Sequence, residues 1–149
     1  VVNHDNSYGS MSDERIKQDI VDSGSQWDDI KAVKVRKFKK KDDVRQYGDK
    51  AWVQIGVIAQ ELEAAGMDKL IKHSDPSEAD IASDSSFGTL YEDGDDIPKY
   101  HKIGDVKEVK SRVKKVGYSV LYMKAIKALQ EAMARIETLE TKVKALEDA

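Results

Sequence analysis

Two residues of this sequence could together carry out acyl-transfer chemistry: Ser12 and Lys17, which lie five positions apart in the run 12–17 (SDERIK). A serine hydroxyl and a lysine amine are the minimum set for such chemistry without histidine or cysteine, since the amine can take the hydroxyl proton. The preceding residues 1–11 differ in character, being polar, with glycine and serine and no helical period. A nucleophile just inside such a boundary points to one substrate, the chain's own backbone at that edge.

The same pair has a simpler interpretation. A serine before Asp13 and Glu14 commonly caps a helix, and a lysine in such a place is commonly solvated. On a continuous helix, residues five apart point about 140° apart. The two groups can therefore meet only if Ser12 lies off the helix axis, if the first turn is irregular, or if Lys17 comes from another chain. Lysine also has an ordinary pKa of about 10.4, so a catalytic Lys17 must have its pKa lowered by burial.

The composition limits the classes of protein to consider. In 149 residues, 40% are hydrophobic but 36% are charged and 7% aromatic, which predicts one domain with a modest core. The net charge of −3 argues against a general nucleic-acid binder. There is no cysteine, and three scattered histidines do not indicate zinc, so we expect no cofactor and no metal. Apolar runs stay far below the roughly 20 residues that span a bilayer, so we expect no membrane partner.

Local patterns predict a small head of helices and strands. The acids after Ser12 and the isoleucine spacing predict a short helix over 13–21, with Ser12 as its N-cap. Helical spacing continues over 27–33, alternation predicts a strand over 33–38, and a charged turn is expected at 39–43.

Further along, residues 51–57 (AWVQIGV) form the strongest predicted strand. A helix is expected over 58–65, with Gly66 as its C′ residue, and a short strand at 70–71. Residues 106–116 fit a strand or a helix, and we favour a strand near 116–119.

An acidic segment, residues 75–105, contains nine acids and two lysines and predicts a long loop or inserted hairpin rather than core. The basic run 31–50, with nine positive and three negative residues, is its expected electrostatic complement. Residues 93–96 (DGDD) lack the ligand spacing of an EF-hand and are interpreted as a turn.

Heptads dominate the C-terminus and predict a coiled-coil helix. Arg135 at g and Glu140 at the next e suit a parallel interchain ion pair, and Ile126 and Met133 widen the apolar stripe toward more than two strands. The alternative is an amphipathic helix folded back on its own domain. The predicted trimer seam consists of Tyr122, Ala125, Leu129, Ala132, Ile136, Leu139, Val143 and Leu146.

Three motifs now stand in a fixed order: residues 12–17 (SDERIK), residues 55–63 (IGVIAQELE) and residues 116–121 (VGYSVL), the last running into the heptads. This ordered set resembles the C-terminal intramolecular chaperone domain of bacteriophage tail fibres and tailspikes, the S74 peptidase family found in endosialidases. The resemblance extends from Ser12 to the C-terminus. The usual Val-Asp-Tyr-Ser before the final helix is here Val116-Gly117-Tyr118-Ser119, and the acidic segment is longer than expected.

The resemblance implies an α+β fold, a small mixed head followed by a long helix forming a parallel trimeric coiled coil. It implies that the domain helps three fibre chains to fold and then releases itself, as a single-turnover serine endopeptidase. Ser12 is carried over as the nucleophile and Lys17 as the general base. The cut is expected beside Ser12, either between Met11 and Ser12 or between Ser12 and Asp13.

The expected organisation is an upstream fibre end or extended tail (1–11), a chaperone and autoprotease head (12–118), and a coiled-coil helix (119–149). The expected partners are two more copies and the upstream fibre module of the same polypeptide, in the host cytoplasm during virion assembly, with the domain absent from the mature virion. The alternative is a non-catalytic trimeric coiled-coil adaptor or fibre tip. A nucleic-acid-binding regulator is supported only by the basic run.

Overall fold

The computed structural model describes residues 11–149 as a mixed helix-and-strand head followed by one long C-terminal helix. This confirms the predicted mixture of helix and strand, whereas the trimeric coiled coil stays a prediction. The predicted tail at 1–11 lies, apart from Met11, outside the described residues. The helices are α1 (Trp27–Ala32), α2 (Lys41–Tyr47), α3 (Ala59–Ala64), α4 (Glu78–Ser83) and α5 (Tyr118–Glu147). The strands are β1 (Arg36–Phe38), β2 (Gln54–Gly56), β3 (Ile71–Ser74), β4 (Gly88–Leu90), β5 (Val106–Val109) and β6 (Val113–Val116).

The strands form three separate two-stranded sheets, all antiparallel: β1 with β2, β3 with β6, and β4 with β5. The registers place Lys37 opposite Ile55 and His73 opposite Lys114. Such short ribbons are marginal alone. Here α3 packs against the β3–β6 ribbon and α4 packs against β4.

The core is small and centres on Leu62 of α3, Met67, Leu70 and Leu121 of α5, all buried. Burying each of these side chains contributes roughly 1.5–3 kcal/mol. Because Leu121 lies in this cluster, the first turns of α5 are fixed to the head. The core of the head thus extends into α5, beyond the domain boundary predicted between residues 118 and 119. That boundary stays a prediction.

The predicted helix at 58–65 is confirmed as α3 (Ala59–Ala64). Gly66 follows the C-cap residue Ala65 as the predicted C′ residue, with the positive φ of +84° that favours glycine. Its acidic residues hold two sheets in place. Glu61 accepts hydrogen bonds from the Arg36 guanidinium of β1, and Glu63 accepts one from Lys114 of β6. The motif 55–63 is thus a structural junction that joins β1, β6 and the core.

Two local predictions in this part of the head need correction. The charged turn at 39–43 is wrong beyond Lys40, since α2 begins at Lys41; acids in its first turn complement the helix dipole. The strand at 51–57 is shorter than predicted, because residues 48–50 form a 3₁₀ turn and β1 offers a partner to only three residues of β2.

The acidic segment is ordered, so its prediction as a loop outside the core is wrong. It contains α4, which begins with a capping box between Ser77 and Asp80 and buries Ile81. The hairpin interpretation agrees with β4 pairing with β5. The turn predicted at 93–96 is present, and the Asp95 carboxylate accepts the Glu92 N–H and pairs with Lys107.

The expected attraction between the acidic segment and the basic run occurs within the chain. Lys41 Nζ lies 3.6 Å from Asp84 Oδ2, and Arg45 donates to Ser83 Oγ. These exposed contacts join α2 to α4, and each is worth little in isolation. Within residues 11–149, no group of acidic or histidine side chains is arranged to hold a metal ion.

The strand favoured near 116–119 is wrong, because α5 begins at Tyr118. Residues 106–116 do form strands, β5 and β6. The Gly117 N–H then donates to the Leu70 carbonyl at 2.8 Å, and the chain turns directly into the helix. In the described part of the chain no helix is long and apolar enough to cross a membrane.

Candidate functional site

A three-residue 3₁₀ turn, Glu14–Ile16, replaces the helix predicted over 13–21. The predicted cap at Ser12 is also wrong, since Asp13 is the N-cap. Its carboxylate accepts the Arg15 N–H at 2.9 Å and two hydrogen bonds from the Arg15 guanidinium. The side-chain hydrogen bonds from Arg15, followed by its backbone N–H, hold the pKa of Asp13 below its ordinary value. Asp13 is therefore ionised at neutral pH and leaves Ser12 unengaged as a cap.

Ser12 and Lys17 meet within one chain. Lys17 Nζ lies 2.6 Å from Ser12 Oγ, which is hydrogen-bond distance. The approach is possible because the turn ends after Ile16 and Lys17 adopts an extended backbone, with φ −118° and ψ 149°. Two of the three expected conditions are thus met, since Ser12 lies off the helix and the turn is irregular. We refer to Ser12 and Lys17 as the dyad.

The dyad is open to solvent in the single chain. Every residue from 11 to 25 is exposed, and residues 17–26 contain neither helix nor strand. Apolar side chains share this exposure, with Met11 at 88% and Val21 at 85%. We refer to residues 18–24, which join the dyad to the head, as the linker.

The linker ends at an anchor on α5 that sequence reasoning did not find. Glu131 Oε2 accepts the Ser25 hydroxyl at 2.6 Å, and its Oε1 accepts the Gln26 N–H at 2.7 Å. These two hydrogen bonds, in that order of importance, lower the pKa of Glu131. Next to it, the Arg135 guanidinium lies 3.7 Å from the centre of the Trp27 ring.

Lys124 completes the anchor by donating to the Gln26 side chain at 2.6 Å and to Asp29 at 2.8 Å. Lys124, Glu131 and Arg135 recur at spacings of seven and four, so they lie on one face of the helix. The sequence feature that could have identified this anchor is the placement of these three charged residues at c and g heptad positions. Because Arg135 already stacks on Trp27, its predicted interchain pair with Glu140 stays a prediction.

The predicted seam occupies a different face of α5 from the one that contacts the head. Leu121 and Ala128 are buried against the head. By contrast, Ile136 is 54% exposed and most of the other seam side chains are similarly uncovered, with Ala132 half-buried. The alternative of a helix whose apolar stripe folds back on its own head therefore does not describe this chain.

The second and third sequence motifs meet, whereas the dyad touches neither. A Cβ at Gly56 would lie 3.2 Å from the Tyr118 hydroxyl and 3.3 Å from Phe38, so glycine suits this contact. Beside it is an apolar groove of about 390 Å³, lined in part by Ile55 and Tyr122. Tyr122 is also a seam residue, so the groove is continuous with the seam.

Part of the chain matches a known protein family. Residues 12–72, less than half of the chain, match the sequence model of the Peptidase S74 family, described as chaperone of endosialidase. The match begins at Ser12 and includes the dyad, the anchored residues Ser25 and Gln26, and the motif 55–63. The match supports, over residues 12–72, the resemblance predicted from the sequence.

A solved structure described as a novel intramolecular chaperone has a similar fold, with a TM-score of 0.56 and 21% sequence identity. The alignment covers 83% of this chain and 99% of the other. At this identity the likeness concerns the fold alone. A search of curated protein sequences finds no match.

Proposed function

We propose that this chain is an intramolecular chaperone domain that trimerises, assists folding of an upstream phage tail-fibre or tailspike module, and then releases itself by cleavage beside Ser12. The observation that carries the proposal is the 2.6 Å contact between Ser12 Oγ and Lys17 Nζ, within the segment that matches the S74 family. The match supports the chaperone and peptidase roles together. The expected site of action is the host cytoplasm during virion assembly, and the domain is then lost from the mature virion.

The simplest chemistry is an N-to-O acyl shift at the Met11–Ser12 peptide bond. Neutral Lys17 takes the Ser12 hydroxyl proton, and Oγ attacks the Met11 carbonyl carbon. The C–N bond then breaks and the nitrogen takes a proton, which leaves an ester to Oγ and a free Ser12 amine. Water hydrolyses the ester to a Met11 carboxylate and regenerates the hydroxyl. Cleavage between Ser12 and Asp13 remains the other candidate.

Association with other copies would shield the dyad from water, which the single chain does not do. Lys17 is exposed in the single chain, and removal of water from around an amine favours its neutral form, which is the form that acts as a base. A neighbouring copy that covers Ile20 and Val21 would exclude water close to the dyad. Cleavage would then follow assembly and make it effectively irreversible.

The chaperone role has a kinetic reason. Three chains that pair strands with one another must first find a common register, which is entropically slow. A C-terminal coiled coil raises the local concentration of the upstream segments and fixes that register. The partners are accordingly two further copies and the upstream module of the same polypeptide.

The test is the mass of the expressed chain. We expect wild type to lose the segment before the cut, whereas Ser12→Ala and Lys17→Ala stay intact. Lys31→Ala is the matched control, since Lys31 is exposed and its side chain has no partner among residues 11–149. The fragment masses distinguish cleavage before Ser12 from cleavage after it.

Equal masses for wild type and both dyad variants would contradict self-cleavage. The non-catalytic adaptor or fibre tip would then be the better description. The exposed seam supports that second candidate equally well, because association of α5 does not require chemistry at Ser12.

A further inference from the structure

The dyad has a single long-range attachment point within the described residues. The side-chain hydrogen bonds of residues 12–24 are made among themselves and with Gln26, and every residue of this stretch is exposed. The first contact with a distant part of the chain is the one between Ser25 and Glu131, which are 106 positions apart. The anchor on α5 therefore fixes the end of the linker and limits where the dyad can lie.

Both oxygens of Glu131 are used at this point, one by a side-chain hydroxyl and one by a backbone N–H. Hydrogen bonds to an ionised acceptor are about twice as strong as neutral ones. Lys127 and Arg135 are the cations that face the carboxylate and favour its charged form. Ser25 and Gln26 are thus held in two directions at once.

The length of the linker determines how far the dyad can move from this attachment. From Lys17 to Ser25 an extended chain spans at most about 29 Å. With the end fixed, the dyad can reach only a limited part of the trimer surface. Without the Glu131 contacts Ser25 would be released and only the Lys124 hydrogen bond would hold the Gln26 side chain. Reacting groups that are misplaced by about 1 Å can lose about 100-fold in rate.

The anchor also lies beside the seam along α5. Glu131 directly precedes Ala132, and Arg135 directly precedes Ile136. The same two turns of helix therefore hold the linker on one face and present the seam on another. Ordering of these turns by neighbouring helices would order the anchor as well.

We infer that Glu131 is a positioning residue for self-cleavage, which holds Ser25 and Gln26 on α5 and so couples the placement of the dyad to assembly of the helix. The inference rests on the proposed function. Glu131 acts through the linker and touches neither Ser12 nor Lys17.

The experiment measures the rate at which the short fragment appears, with the oligomeric state followed by sedimentation. We expect Glu131→Ala to cleave at least about tenfold more slowly while associating normally. Glu131→Gln should be slowed less, because its amide oxygen can accept the Gln26 N–H and its NH₂ group can donate to Ser25 Oγ. Glu137→Ala, on the same helix with no side-chain partner among residues 11–149, is the matched control and should cleave like wild type.

Ser25→Ala tests the same contact from the linker and leaves the helix unchanged. We expect it to slow cleavage, and the double variant Ser25→Ala with Glu131→Ala to be no slower than Glu131→Ala alone, because both remove one interaction. Full cleavage by Glu131→Ala would overturn the inference, as would slow cleavage seen only in variants that no longer associate. If wild type resembles Ser12→Ala, self-cleavage itself fails, and the inference falls with it for that separate reason.

Discussion

At the scale of single residues, Asp13 caps the 3₁₀ turn and Ser12 is left to form the dyad with Lys17. Asp13 takes the capping role that the sequence suggested for Ser12, because its carboxylate reaches the Arg15 N–H and is held there by the Arg15 guanidinium. The Ser12 hydroxyl is thereby left for Lys17.

This geometry predicts which lysine serves which serine. We expect cleavage in cis, because Nζ and Oγ of one chain are already at hydrogen-bond distance. Co-expression of Ser12→Ala and Lys17→Ala chains with different tags tests this by mass spectrometry. Mixed assemblies should leave both chains intact.

A trans mechanism gives the opposite result, since the Lys17→Ala chain keeps its Ser12 and would be cut with help from the partner's lysine. Co-expression of either variant with wild type is the control. The wild-type chain in such mixtures should still be cleaved.

At the scale of elements, the acidic segment shows how a polar sequence becomes part of the fold. Ile81 of α4 and Pro76 just before this helix are the deeply buried side chains of the segment, and the β4–β5 ribbon packs close to Ile81. Gly88 allows that packing, because a Cβ there would lie 2.1 Å from the Glu108 carbonyl oxygen and 3.2 Å from Ile81. The ribbon is therefore sensitive to a single methyl group.

Gly88→Ala should lower the free energy of unfolding by about 1–3 kcal/mol, because the backbone of β5 must shift. Urea denaturation measures the change. Gly24→Ala is the matched control, since a Cβ at Gly24 meets nothing within 4 Å, and its effect should stay within about 0.5 kcal/mol. Equal stability of the two variants would mean that β4 and β5 do not approach so closely in solution.

At the scale of the whole molecule, α5 serves two surfaces at once. Its c and g positions hold the head and the linker, while most of its a and d positions are exposed. Leu129, Ile136 and Val143 are exposed in the single chain and form the kind of apolar stripe that a coiled-coil partner would cover. Self-association in parallel is the arrangement that would cover the seam and bring three heads, with their dyads, to one end.

Ile136→Asp should therefore abolish association and, with it, self-cleavage. Three buried carboxylates would face one another, and each isoleucine removed from the seam loses roughly 1.5–3 kcal/mol. Sedimentation should change from a trimer to a monomer. Thr138→Asp is the control for added charge, since Thr138 lies at an exposed c position.

A monomeric Ile136→Asp chain that cleaves at the wild-type rate would separate catalysis from assembly. A trimeric Ile136→Asp chain would place the interface elsewhere, with the groove beside Gly56 as the next surface to examine.

The sequence by itself determined the features that depend on spacing and period: the dyad, the order of the three motifs, α3 with its terminal Gly66, and the heptads of α5. These are local properties, and residue types alone express them. The sequence did not predict structure that depends on contacts between residues distant along the chain. Ile81 is buried although the composition of its segment predicts a loop, because β5, which follows the segment in the sequence, pairs with β4.

Only the tertiary structure decided how the dyad is built and held. The approach of Lys17 to Ser12 depends on the backbone angles after Ile16, which an i to i+5 spacing does not specify. The anchor joins residues more than 100 positions apart, so no local pattern reveals that Glu131 binds the linker. Likewise, periodicity identified an apolar seam on α5, but only packing showed that the head covers a different face and leaves that seam free.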